Sequence, residues 1–84
     1  MVFLVFTRNG LKEALSLAKL NNGAVWCTSD VLSEKVFSDM KEPNITRFYY
    51  SFTVSESETL VDALETIKEH HPGERIWVEG SDEL

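Results

Sequence analysis

Hydrophobic and polar positions follow two rhythms along this chain, and two runs follow neither. Val2-Phe3-Leu4-Val5-Phe6 is apolar throughout and ends at Thr7-Arg8-Asn9-Gly10. A half-buried strand alternates; a continuous Val- and Phe-rich run buries both faces, as the inner strand of a layered sheet does. Ala24-Val25-Trp26-Cys27, introduced by Gly23, is a second run of the same kind.

Between these runs the rhythm is helical. Leu11, Ala14, Leu15 and Ala18 fall at i, i+3, i+4 and i+7, one stripe about 100° wide, and predict a helix from about Gly10 to Leu20. Asn9 is placed to cap it, and Asn21-Asn22-Gly23 to end it. Leu32, Val36, Phe37 and Met40 predict a shorter helix over 31–40, stopped before Pro43. Ile45 to Val54 alternates, with Phe48, Tyr50, Phe52 and Val54 on one side and Arg47, Tyr49, Ser51 and Thr53 on the other. That is a long strand with one wetter face. Leu60, Ala63, Leu64 and Ile67 predict a last helix, opened by the capping-box spacing of Ser55 and Glu58 and closed at His70-His71-Pro72-Gly73. Glu74 to Glu79 reads as a final strand, and Gly80 to Leu84 as a frayed acidic tail.

The order βαβαβαβ predicts a single small α/β domain of three layers, with right-handed crossovers and a mainly parallel four-stranded sheet. If apolarity marks position, the two continuous runs are central and the strand order is 3-2-1-4. The flavodoxin-like order 2-1-3-4 is the alternative, and would place strand 3 inside.

Size and charge narrow the functions. The 84 residues suit one domain. A net charge of −6 argues against nucleic acid, which needs cations to displace counterions from phosphate, and against anionic membrane surfaces. No run approaches the roughly 20 apolar residues of a membrane span. One cysteine excludes an internal disulfide and favours the cytoplasm.

Three readings of function follow. The first rests on Glu58, Asp62, Glu65 and Glu69, which share one face of the last helix opposite its apolar stripe. Five acids stand against Lys68 between Glu56 and Glu69. Acids at i, i+4 repel one another, and a basic protein partner relieves that repulsion. This describes a binding or regulatory protein, and a solvated face explains the same pattern. The second reading is a thiol-dependent enzyme or sulfur carrier using Cys27, at the end of strand 2 beside a helix N-terminus, which lowers a thiol pKa. Core filling beside Trp26 explains Cys27 equally. The third is a small-anion sensor at the strand C-terminal edge, with Arg8, Asn9, Thr28 and Ser29 around helix N-termini. Helix capping requires the same residue types there. No Gly-rich phosphate loop is present, and adjacent His70 and His71 point about 100° apart on a helix, so no metal or cofactor is expected. If strand 3 is an edge, it admits pairing with a second copy.

Overall fold

A computed structural model describes residues 1–80; most of the acidic tail lies outside the described residues. The elements are β1 (Val2–Val5), α1 (Arg8–Asn21), β2 (Ala24–Cys27), α2 (Glu34–Met40), β3 (Ile45–Arg47), α3 (Ser57–His70) and β4 (Ile76–Val78). All strand pairs are parallel and the order is β3-β2-β1-β4. The alternative order 2-1-3-4 is not adopted. The two strands apolar on both faces are inside, as their composition demands.

The topology fixes the layers. The β1-α1-β2 and β2-α2-β3 crossovers run in the same direction across the sheet, so right-handedness puts both helices on one face. The connection from β3 to β4 runs back past β2 and β1, so α3 covers the other. Strand parity matches. Phe3, Val5, Val25, Cys27 and Ile45 pack with Leu11, Ala14 and Ala18 of α1. Val2, Leu4 and Trp26 pack with Ala63 and Ile67 of α3 and with Phe48 and Phe52.

Several boundaries differ from the sequence reading, β4 among them, which covers only Ile76–Val78 rather than Glu74 to Glu79. Helix α1 begins at Arg8 and is capped by Thr7, not Asn9: Thr7 is extended and its Oγ1 accepts from the Gly10 N–H at 2.9 Å. Its exit is as expected, with Asn22 in the left-handed conformation (φ 53°). Helix α2 begins only at Glu34, with Ser33 as its cap, because Val31 and Leu32 are core residues of the preceding loop. Strand β3 has three residues rather than ten. Past Arg47 the chain leaves the sheet, yet Phe48 and Phe52 still turn inward and bury. Alternation there reflects an aromatic cluster, with Phe48–Phe52 and Tyr50–Phe52 ring centroids 5.6 and 5.5 Å apart. The capping box of α3 does not form either. Glu56 is the N-cap without a side-chain cap bond, and its Oε1 accepts from the Thr53 N–H at 3.1 Å.

Candidate functional site

The strand C-termini share one edge of the parallel sheet. There β2 leads to α2 on one face and β3 leads to α3 on the other, so the two loops diverge, and a crevice of this kind is the usual ligand position in open α/β sheets. In this chain it is laced shut. The Phe48 N–H donates to the Cys27 carbonyl at 2.8 Å and the Ser29 N–H to the Tyr50 carbonyl at 3.1 Å. Arg47 reaches back under the β2–α2 loop, its Nε donating to the Leu32 carbonyl at 2.7 Å and a terminal nitrogen to the Ser29 carbonyl at 3.2 Å. Thr28 is fully buried and donates to Asp30 at 2.7 Å.

Cys27 lies beneath this lacing and is fully buried. Burial pushes its thiol up to about 11; nearby Arg47 pulls the other way but does not offset the desolvation, and Asp30 adds to it. The thiol is therefore protonated near neutral pH. Helix α2 starts seven residues further on, so Cys27 does not stand at a helix N-terminus as the sequence suggested.

The first crossover turn holds an anion of its own. The Glu79 carboxylate sits over the start of α1: Oε1 accepts from the Phe6 and Thr7 N–H groups at 2.7 and 3.1 Å, and Oε2 from the Thr7 hydroxyl at 2.6 Å. A Cβ on Gly10 would run into that carboxylate, so the glycine is what lets it approach. Arg8 and Asn9 are exposed on the first turn of α1, and neither side chain makes a hydrogen bond or ion pair among the described residues. The structure thus gathers Cys27, Thr28 and Ser29 around the Arg47 lacing and leaves Arg8 and Asn9 outside it. Sequence reasoning missed Glu79, because only the β4–β1 pairing brings it beside residues some seventy positions away.

His70 and His71 are structural neighbours of Trp26. The Trp26 Nε1–H donates to His71 Nε2 at 3.3 Å, and His70 packs edge-on against the same indole at 5.4 Å.

No family model, curated protein or solved structure matches the chain.

The surface is electrostatically two-sided. On α3, Glu58, Asp62, Glu65 and Glu69 are all exposed and none is ion-paired among the described residues. With Lys68 the helix carries −3. On the opposite face α1 carries +2, from Arg8, Lys12 and Lys19 against Glu13. At 100° per residue the four acids centre directly opposite Leu60, Ala63, Leu64 and Ile67, and so point away from the sheet. Val61, half exposed, lies on the flank of the acidic stripe.

Proposed function

We propose that this is a small binding or regulatory protein that docks a basic protein partner on the outer face of α3, through Glu58, Asp62, Glu65 and Glu69. The observation that carries the reading is four exposed, unpaired carboxylates on one helical face, while on the opposite face α1 carries +2 and α2 carries −1. Segregated charge steers a cationic partner to one side of the molecule and orients the encounter. Val61 adds an apolar contact at the margin of the stripe. No catalytic role is proposed, since the only thiol is buried and protonated. We take the cytoplasm as its compartment, on the strength of one unpaired cysteine.

The test is comparative affinity capture. The wild type, an Asp62→Lys/Glu65→Lys/Glu69→Lys variant and a control variant reversed at Glu13, Glu34 and Asp39 are immobilised side by side. The reading expects a basic protein held by the wild type and the control but lost from the α3 variant. A partner held equally by all three rejects the role of α3.

A further inference from the structure

The side of the molecule at β4 is unfinished on both faces. Of the eight large hydrophobic residues exposed among the described ones, four gather there: Met1, Leu17, Trp77 and Val78. On the α1 face, an open groove runs over Phe3, Leu17 and Trp77. Helix α1 packs on β1 and β2, which leaves Trp77 half exposed. On the other face, His70 marks the flank of α3 that lies over Trp26 of β2; Val61 is on the opposite flank, toward β4.

Among the described residues the edge itself is open. The Val2 N–H donates to the Arg75 carbonyl and the Glu79 N–H to the Leu4 carbonyl, so Arg75, Trp77 and Glu79 turn their backbone groups toward β1. Ile76 and Val78 alternate with them and turn theirs outward. An edge with outward N–H and C=O groups and an apolar rim is a template for another strand. The β3 edge lacks that rim: Thr46 is its exposed residue and the Arg47 side chain is turned into the protein.

We propose that the occupant is a second copy of this chain, with β4 pairing antiparallel to β4 across a two-fold axis. Outward-facing residues pair with one another, so Ile76 of one copy exchanges hydrogen bonds with Val78 of the other. That sets Trp77 opposite Trp77 of the second copy, in the closer, non-hydrogen-bonded position. It also sets Arg75 opposite Glu79 of the second copy, twice by symmetry. The opposite charges select this register; a shift by two residues separates them. Both partners of the pair are already held in place, Arg75 over its own Trp77 ring at 5.7 Å and Glu79 on the α1 turn. The axis runs perpendicular to the sheet, so the result is a continuous eight-stranded sheet with both α3 helices on one face. The acidic stripes stay free, and the dimer presents two of them.

Sedimentation equilibrium of the full chain from about 10 µM to 1 mM tests this. The expected result is a rise from 9.6 kDa toward twice that mass. Val78→Pro removes an outward donor without breaking a bond to β1, and is expected to hold the monomer with an unchanged circular dichroism spectrum. Trp77→Cys is expected to form a disulfide-linked dimer on mild oxidation, since opposed residues at that position have Cα atoms about 4.5 Å apart, within disulfide reach. A wild type of 9.6 kDa at 1 mM overturns the proposal. So does a dimer that folded Val78→Pro leaves intact, and so does a dimer that Trp77→Cys fails to cross-link; the last outcome decides the matter if Val78→Pro does not fold.

Discussion

Glu79 and Thr7 join the last strand to the first turn. The Thr7 hydroxyl donates to the Glu79 carboxylate at 2.6 Å and accepts from the Gly10 N–H at 2.9 Å, so one hydroxyl caps α1 and anchors β4. The carboxylate also takes two N–H groups at the positive end of α1, where an anion is favoured by the helix dipole. The position that an external anion would take is filled from within the chain.

Removing that carboxylate leaves the Phe6 and Thr7 N–H groups without their acceptor. Glu79→Ala is expected to cost about 1–3 kcal/mol in urea unfolding, the range for a charged group's hydrogen bonds and the orphaned donors left behind. Gly10→Ala should cost less, since its methyl displaces only the end of the flexible Glu79 side chain and alanine is favoured over glycine within a helix. In combination the two losses should fall well short of their sum, because they break the same contacts. Full additivity would show that Gly10 acts independently of Glu79.

Cys27 is expected to resist alkylation in the native protein at pH 7 to 9 and to label only on unfolding. Its folded pKa of about 11 lies above the unfolded value. The folded state therefore holds its proton more tightly, and the associated stability is complete below the unfolded pKa. It falls as pH rises from about 9 through 11, by roughly 2 kcal/mol. The melting temperature of Cys27→Ala, lower throughout from the lost packing, should fall less steeply over that interval than that of the wild type.

Trp26 depends on His71 for its only indole hydrogen bond among the described residues. His71→Ala strands that donor in a largely buried site and is expected to destabilise the fold by about 1–3 kcal/mol. His70→Ala, which removes an edge contact but no acceptor, should cost less. Denaturant titrations of the two variants compare them directly.

Arg47 ties the β2–α2 loop to β3 through two carbonyls. Arg47→Met keeps much of the aliphatic stem and loses both bonds. Hydrogen exchange at residues 29–33 should then rise sharply, while exchange in β1 changes little. Unchanged protection in the loop would show that the lacing does not hold it.

The sheet was legible in the sequence because burial on both faces leaves a continuous apolar run. Val2–Val5 and Ala24–Cys27 announced themselves as central, which favoured the order 3-2-1-4 while leaving 2-1-3-4 open. The aromatic cluster was not legible as such: Phe48 and Phe52 bury at alternate positions whether the chain is a strand or an irregular loop packed on α3. Val31 and Leu32 misled in the same way, extending a helical rhythm into a buried loop. The acidic face of α3 was readable because helical spacing alone sets which side chains share it. Glu79, Arg47 and the Trp26–His71 bond were not, since each joins residues that only the strand order brings together.

We propose that α3 presents the docking face for cations. Amide chemical shifts of the labelled protein, followed through a titration with a short lysine-rich peptide, test it most directly. Perturbations are expected to concentrate on Glu58, Val61, Asp62, Glu65 and Glu69 and to fade as salt shortens the screening length to about 3 Å near 1 M. Shifts spread evenly over Glu13, Glu34, Asp39 and α3, or centred away from α3, would contradict it.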